Sequence, residues 1–299
     1  MTLDQLRVFV AVAEREHVTR AASALNLAQS AVSHAVALLE AEFRTRLFDR
    51  VGRRIVLTEA GRTFLVEARA VLSRADVART VLAELGDLER GSLRVHASQT
   101  IAGYWLPARL AALHRRHPGI EIGLRIGNTE QVARAVHDGE AEIGLIEGAI
   151  HDPALLSSVV AHDQLVLVVA PAHPWAHGPS PGSAALAAAD WVLREPGSGT
   201  RSAFETAIAR LGVPAGSLRV ALQLPSNESV RAAVESGLGA TVLSASVAAP
   251  SLEAGLLVRV PMALPERAFR VVHHRERSLG RAARAFLAGL ESPSAETRA

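Results

Sequence analysis

The chain has 299 residues, a hydrophobic fraction of 49% and a formal net charge of +2, and it contains neither cysteine nor lysine. Without cysteine it has no disulfide framework, no thiolate zinc site and no cysteine redox switch. The length accommodates two or three globular domains, and the apolar content excludes extended disorder, except in a short tail that begins at Ser292.

Basic residues are concentrated near the N-terminus. Five arginines and one aspartate lie between Arg44 and Arg54, whereas charges balance over residues 63–299. A local basic patch on a neutral body favours contacts with nucleic-acid phosphates. Asp4, Arg7 and Glu14 interrupt the N-terminal apolar sequence, which is therefore not typical of a signal peptide. No apolar run is long enough to span a bilayer, so we expect a cytoplasmic protein without membrane contacts.

A first helix is predicted over residues 2–16. Thr2 is its expected N-cap, and its apolar residues recur at helical spacing to form one buried face: Leu3, Leu6, Phe9, Val10 and Ala13.

The next stretch, VTRAASALNLAQSAVSHAVALLEAEF from Val18 to Phe43, is typical of two helices joined by a tight turn. We expect Thr19 to cap the first helix, Asn26 to end it in the left-handed conformation, and Leu27 to fill the turn. The second helix begins at Gln29 or Ser30. The predicted buried residues are Ala21, Ala22 and Leu25 in the first helix, and Val32, Val36, Leu39 and Phe43 in the second.

The opposite face of this second helix carries Gln29, Ser30, Ser33 and His34 near its N-terminal end. These side chains donate and accept hydrogen bonds at the positive end of the helix dipole, as in a recognition helix in a DNA major groove. An ordinary helical hairpin with a solvated polar face is the alternative. The following sequence, LFDRVGRRIVLT, alternates apolar and polar residues around Gly52 and predicts a two-stranded wing with Arg50, Arg53 and Arg54 at its tip.

The motifs AASALNLAQSAVSHAVALLEAEF, LFDR and LTEAG resemble the N-terminal signature of the LysR-type bacterial transcriptional regulators. The resemblance covers about the first 65 residues and implies a winged helix-turn-helix domain over residues 1–58 that binds double-stranded promoter DNA. We expect Gln29, Ser33 and His34 to read bases, and Ser30, Arg53 and Arg54 to hold phosphate or minor groove. The sequence departs from the family at Ala28, where a capping serine or threonine is common, and at His34, where a larger residue is common.

A long helix is predicted within residues 59–90, after an N-terminal signal at Thr58. Its apolar residues alternate in steps of four and three, which is a heptad pattern that indicates a coiled-coil seam between two chains. The seam consists of Phe64, Ala68, Val71, Ala75, Ala78, Leu82 and Leu85. An amphipathic helix packed on its own domain is the alternative.

From residue 91 onward, strand-like and helical segments alternate, which favours mostly parallel sheets covered by helices. Strands are expected at residues 93–98, 120–127, 141–148, 164–171, 190–196, 218–225, 239–244, 255–261 and 268–275. Helices are expected at residues 104–116, 129–138, 200–212, 226–237 and 278–290, with a surface loop and a short helix within 177–189.

The segments HPGIEI, GNTEQV and REPGSGTR resemble the effector domain of the same family, which has two Rossmann-like lobes similar to those of periplasmic solute-binding proteins. This implies lobe I at residues 91–162 and 267–299, and lobe II at 163–266. The same segments resemble the branch that regulates sulfur assimilation and carbon fixation, whose effectors are small anions or phosphorylated metabolites. The resemblance also implies a homodimer through the long helix, a homotetramer, DNA bending and contact with RNA polymerase.

Small polar residues follow four of the predicted strands, where open parallel sheets bind their ligands. The strongest segment is GSGTR, in which the glycines permit close backbone approach and Arg201 is available to pair with an anion. Each segment alone is more often only a helix cap. Together they predict a site for a small polar or anionic effector, formed by Ser98, Thr100, Asn128, Thr129, Ser198, Thr200, Arg201 and Asn227.

Enzymatic readings have little support in the sequence. There is no G-x-S-x-G motif and no cysteine nucleophile, and GSGTR lacks the lysine of a P-loop. The histidine pairs at 114/117 and 273/274 have no carboxylate at ligand spacing, so we expect no metal and no cofactor. Two classes of function remain: a ligand-responsive DNA-binding regulator, or a small-molecule-binding protein or enzyme whose N-terminal helices serve only assembly.

Overall fold

The computed structural model describes residues 1–51, 54–84 and 91–291. The chain forms two compact units. The N-terminal unit consists of Met1–Gly86 together with Asp138–Glu140, and the C-terminal unit contains the rest of the chain. Among the described residues, no single helix is both long enough and apolar enough to cross a membrane; one bent helix pair passes that test only when its two helices are taken together.

The N-terminal unit is a three-helix bundle followed by a hairpin and a long helix. Its elements are α1 (Leu3–Arg15), α2 (Val18–Leu25), α3 (Gln29–Phe43), β1 (Phe48–Val51), β2 (Arg54–Leu57) and α4 (Glu59–Glu84). The strands β1 and β2 pair antiparallel from Phe48 opposite Leu57 to Val51 opposite Arg54. The predicted winged helix-turn-helix fold is therefore confirmed.

The caps of α1 and α2 illustrate how local chemistry sets their ends. Thr2 is the N-cap of α1 as predicted: its hydroxyl accepts a hydrogen bond from the Gln5 backbone, and the Gln5 side chain accepts one from the Thr2 backbone. The prediction of Thr19 as a cap is wrong, because α2 already begins at Val18, with His17 as an N-cap that makes no side-chain hydrogen bond. Asn26 ends α2 in the left-handed conformation, as expected.

Three apolar side chains predicted to be buried are exposed instead. Leu3 is 40% exposed, Leu27 46% and Phe43 55%. Leu3 and Phe43 are at the first and last positions of their helices, beyond the reach of the bundle core, and Leu27 follows the left-handed Asn26, which leaves its side chain at the surface. The core instead gains apolar residues of α1 that the prediction omitted: Val8, Ala11 and Val12.

The heptad residues of α4 divide into two groups. Phe64 contacts Phe9 of α1, with ring centroids 4.9 Å apart, and Ala68 is buried in the same core. These two positions therefore pack on their own unit, as in the alternative interpretation. Further along α4, Val71 and Ala78 are exposed and Ala75 is half-buried. Leu85 and the side chain of Leu82 lie outside the described part of the chain.

The C-terminal unit alternates strands and helices. Its strands are β3 (Gly91–Ser98), β4 (Ile120–Gly127), β5 (Ile143–Glu147), β6 (Leu155–Val169), β7 (Asp190–Arg194), β8 (Arg219–Leu224), β9 (Ala240–Ser244), β10 (Val258–Val260) and β11 (Glu266–His274). Its helices are α5 (Leu106–Arg116), α6 (Thr129–His137), α7 (Ser183–Ala188), α8 (Gly199–Ala209), α9 (Asn227–Glu235), α10 (Ala245–Glu253) and α11 (Arg281–Glu291). A π-helical turn, Ile101–Trp105, precedes α5, and a short 3₁₀ turn, Ala215–Ser217, precedes β8.

The strands of this unit follow the order β4-β3-β5-β11-β6-β9-β7-β8, and β10 pairs with β6. Two long antiparallel strands, β6 and β11, pair from Leu155 opposite His274 to Gln164 opposite Glu266. We call β3, β4 and β5 with α5, α6 and α11 lobe I, and β7 to β10 with α7 to α10 lobe II. Each lobe has an apolar core on both faces of its strands, which confirms the predicted two-lobed α/β fold. The residue boundaries given above for domains and lobes stay predictions.

Candidate DNA-binding and effector-binding sites

The exposed face of α3 presents the predicted DNA-reading residues. The axes of α2 and α3 cross at 109°, which is the geometry of a helix-turn-helix. Gln29, Ser30, Ser33 and His34 are all exposed on α3. Ala28 is the N-cap and makes no side-chain hydrogen bond. The first turn of α3 thus keeps polar side chains and backbone N–H groups at an exposed, dipole-positive end.

Beside this helix, the wing presents arginine. Arg50 is exposed on β1, and Arg44 and Arg46 are exposed in the turn before it. Arg54 begins β2. Arg53 and the side chain of Arg54 lie outside the described part of the chain, so their predicted phosphate contacts stay predictions.

In the C-terminal unit, the predicted effector residues lie where strands end and helices begin. Ser98 ends β3, Thr129 begins α6, Ser198 is the N-cap of α8 and Asn227 begins α9. All but Arg201 are buried: Ser98, Thr100, Asn128, Thr129, Ser198, Thr200 and Asn227. Small polar residues buried at strand ends of both lobes are brought towards one region, because β6 and β11 hold the lobes together.

The guanidinium at the centre of this region belongs to Arg267 of β11, which the sequence analysis did not single out. Arg267 Nη1 donates to Thr200 Oγ1 of lobe II at 2.8 Å, and Nη2 donates to Thr100 Oγ1 of lobe I at 3.4 Å. The same guanidinium forms ion pairs with Asp163 at 2.6 Å and with Glu147 at 3.2 Å. Arg267 therefore joins hydroxyl groups from both lobes; we call these five residues the Arg267 cluster.

A second set of hydrogen bonds runs from the cluster along the edge of lobe II. Asn227 Nδ2 donates to Thr100 Oγ1 at 3.1 Å, and Asn227 Oδ1 accepts from Arg194 at 2.6 Å. Arg194 in turn pairs with Glu195, which accepts from Asn128 of lobe I at 3.2 Å. Burial favours the neutral form of Glu195, but the hydrogen bond and charge of Arg194 outweigh it and lower the pKa of this carboxyl. Thr100 of lobe I is thus bound both by Arg267 and by Asn227 of lobe II, and Glu195 of lobe II binds Asn128 of lobe I.

Arg201 is engaged outside the Arg267 cluster, and its predicted pairing with an effector stays a prediction. Its guanidinium is bound to Glu205 at 2.7 Å, to Gln223 at 2.8 Å and to the Arg194 carbonyl at 3.0 Å. Glu205 lies one helical turn further along α8, where an ion pair with Arg201 forms readily. The arginine that meets the predicted hydroxyls is Arg267.

The loop before α8 approaches lobe I closely. Gly197 has a positive φ of 84°, and a Cβ atom on Gly199 would lie 2.7 Å from both Glu147 Cβ and Thr129 Oγ1. Side chains larger than glycine would push the lobes apart here. Beside this contact, a cavity of about 400 Å³ is lined mainly by α6, including Thr129, and by residues 149–152, with Gly197 and Ser202 also in its lining. This volume suits a small molecule.

Three buried polar atoms in residues near the strand and helix ends of the two lobes have no protein partner among the described residues. They are Ser98 Oγ, Ser198 Oγ and Glu147 Oε1, and their residues are at most 4% exposed. Ser198 is the N-cap of α8, yet its hydroxyl makes no capping hydrogen bond. Buried polar atoms ordinarily have a partner. Within the described part of the chain, no group of three acidic, histidine or cysteine side chains is placed to hold a metal ion.

Comparison with known proteins agrees with both halves of the chain. The profile described as bacterial regulatory helix-turn-helix protein, lysR family, matches residues 3–62, and the LysR substrate binding domain profile matches residues 86–292. The chain is 39% identical over 289 residues to an uncharacterized HTH-type transcriptional regulator, YeiE, of Escherichia coli K12, with 96% of both chains covered. It is 35% identical to the RuBisCO operon transcriptional regulator of Allochromatium vinosum, covering 96% of this chain and 94% of the relative.

A solved structure is similar to the C-terminal unit. It is the regulatory domain of CcmR from Synechocystis PCC6803 in complex with 2-PG, which has a TM-score of 0.61 and 27% identity, covering 67% of this chain and 96% of that chain. The winged helix-turn-helix, the two-lobed C-terminal unit and the matches to both profiles lead to one conclusion: the chain belongs to the LysR family of bacterial DNA-binding transcriptional regulators.

Proposed function

We propose that this regulator responds to a small polar or anionic effector, which binds between lobes I and II and changes how the protein binds and bends promoter DNA. The observation that carries this proposal is the Arg267 cluster, in which one buried guanidinium meets Thr100 of lobe I and Thr200 of lobe II. A ligand that competes for these hydroxyls alters contacts in both lobes at once, so its binding energy can shift the arrangement of the lobes.

Support also comes from the related CcmR domain, whose structure contains 2-PG. We further propose that the protein acts in the cytoplasm, where promoter DNA lies, and contacts RNA polymerase there. Gln29, Ser33 and His34 would read base edges, while Ser30, Arg53 and Arg54 would hold the DNA backbone or minor groove.

The test uses the full chain, the DNA upstream of its own gene, and a panel of oxyanions and central metabolites. We expect specific DNA binding that weakens as salt rises, because phosphate contacts release counterions. We expect at least one panel compound to raise the melting temperature. Thr100→Val should abolish that rise and leave DNA binding without ligand intact, because Thr100 is not in the winged helix-turn-helix.

A matched control is Thr206→Val. Thr206 is an exposed threonine of α8 whose hydroxyl donates to the Ser202 carbonyl of its own helix, so this variant should respond to the compound like wild type. If Thr100→Val responds like Thr206→Val, the effector binds elsewhere.

A further inference from the structure

The two carboxylates beside Arg267 differ in how fully they are hydrogen-bonded. Asp163 is satisfied at both oxygens: Oδ1 accepts from the Ser244 hydroxyl at 2.7 Å, and Oδ2 accepts from Arg267 Nε at 2.7 Å. Glu147 has only one oxygen engaged, because Oε2 pairs with Arg267 Nη1 at 3.2 Å while Oε1 has no protein partner among the described residues. A buried carboxylate oxygen without a hydrogen-bond donor is costly.

The charges around Arg267 also favour a hydrogen-bond donor beside Glu147. Arg267 faces both Asp163 and Glu147, so two buried carboxylates share one guanidinium, and this group has a net negative charge. The other nearby arginine, Arg194, is neutralised by Glu195. An ionised oxygen placed directly beside Glu147 would be repelled, whereas a hydroxyl or amine that donates a proton would stabilise Glu147 Oε1.

Two unpartnered hydroxyls complete the site. Ser98 lies two residues before Thr100, and Ser198 two residues before Thr200, and both threonines contact Arg267. Gly199, next to Ser198, packs directly on Glu147. Both serines thus neighbour residues that contact Arg267 or Glu147, and Glu147 itself pairs with Arg267. Each serine hydroxyl is available to donate to a ligand oxygen, while Glu147 Oε1 only accepts.

From this arrangement we infer that the site selects effectors carrying both acceptor oxygens for Ser98 and Ser198 and a hydrogen-bond donor, a hydroxyl or an amine, for Glu147. The inference rests on the proposed function, since it specifies the ligand class of the same cleft. Hydrogenphosphate and hydroxy acids meet this requirement. Sulfate and simple carboxylates do not, because at neutral pH they have no proton to donate. A site built to accept a hydrogen bond rejects an analogue that lacks the donor strongly.

The experiment compares matched pairs of probes on the full chain: phosphate against sulfate, and glycolate against acetate, at equal ionic strength and neutral pH. Calorimetric titration and melting temperature are the measurements. In wild type, the donor-bearing member of each pair should bind at least about tenfold more tightly than its partner. Glu147→Gln adds an amide donor and removes the charge, so this variant should lose the preference and gain affinity for sulfate. Glu253→Gln, an exposed acid at the C-terminal end of α10, is the matched control and should retain the preference.

The outcomes are separable. If sulfate and acetate bind wild type as well as their partners, and Ser98→Ala with Ser198→Ala abolishes that binding, the cleft is the effector site but the donor requirement is wrong. If no probe binds in a way that depends on Ser98 or Ser198, the inference is overturned and the proposed cleft with it. The wild-type comparison decides the matter even if Glu147→Gln does not fold.

Discussion

Gln29 is the first residue of α3. Its side chain is exposed, and its amide both donates and accepts hydrogen bonds. An exposed amide at the start of a recognition helix is suited to bidentate contact with a base edge. Gln29→Ala should therefore weaken binding to the specific operator by about 1–3 kcal/mol and leave binding to random DNA nearly unchanged. Competition gel shifts with both DNAs measure this difference.

Arg50→Ala is the contrasting variant. Arg50 is exposed on the wing, and a phosphate contact there supports binding to any sequence, so its loss should weaken both DNAs equally and reduce the dependence of affinity on salt. Equal losses on the two DNAs for Gln29→Ala would contradict its role in reading bases.

Single residues also show where sequence reasoning succeeds and fails at the effector site. The hydroxyl and amide residues were predictable because strand ends and helix starts can be identified from the sequence, and the structure buries seven of the eight predicted residues. Arg201 forms an ion pair with Glu205, four residues later, and this spacing is visible in the sequence. Arg267 lies within a strand, 167 residues from Thr100, and the pairing of β3 with β5 and of β5 with β11 brings the two together.

At the level of elements, Gly61 fixes how α4 leaves the wing. Its backbone N–H is capped by the Thr58 hydroxyl at 2.9 Å. A Cβ atom at position 61 would lie 2.1 Å from the Leu47 carbonyl oxygen and 2.8 Å from the Leu57 side chain. The Leu47 carbonyl cannot move aside without displacing the start of β1, which follows it directly. Gly61→Ala should therefore destabilise the N-terminal unit by about 1–3 kcal/mol.

Gly103→Ala provides a control of opposite sign. Gly103 lies in the π-helical turn before α5, and an added Cβ there would have no atom within 4 Å. Alanine restricts the unfolded chain more than glycine, so this variant should be neutral or up to about 1 kcal/mol more stable. Scanning calorimetry of the full chain measures both variants, and the same stability for the two would show that the contact between Gly61 and Leu47 is unimportant.

The elements themselves were predicted with uneven success for physical reasons. The strand at Ile120–Gly127 was predicted to the residue, because Pro118 and Gly119 mark its start and Asn128 its end. The strand expected at 164–171 instead begins at Leu155, since its first half is largely exposed and is stabilised by pairing with β11 rather than by burial in an apolar core. Helix α10 was not predicted, because it contains Pro250 and its many alanines and serines show little apolar periodicity of 3.6 residues.

For the whole molecule, the exposed part of the α4 seam indicates assembly. Phe64 and Ala68 are covered within the N-terminal unit, whereas Val71 is 42% exposed and Ala78 is exposed. We propose that a second copy of α4 covers these positions and pairs two recognition helices on an operator with dyad symmetry. Contacts between C-terminal units would then join two such dimers into the tetramer that the family resemblance implies.

Replacing Val71 and Ala78 with aspartate tests this assembly without disturbing the core, because both side chains are exposed in the single chain. Charges facing each other across the seam repel, so the double variant should have half the wild-type mass or less in light scattering. It should also lose specific DNA affinity by orders of magnitude, since one recognition helix binds far more weakly than a linked pair. Val66→Asp is the matched control, because Val66 is 47% exposed on the same helix but lies outside the heptad positions. The Val66→Asp protein should have the wild-type mass in light scattering. Wild-type mass for the Val71→Asp, Ala78→Asp protein would refute pairing through α4.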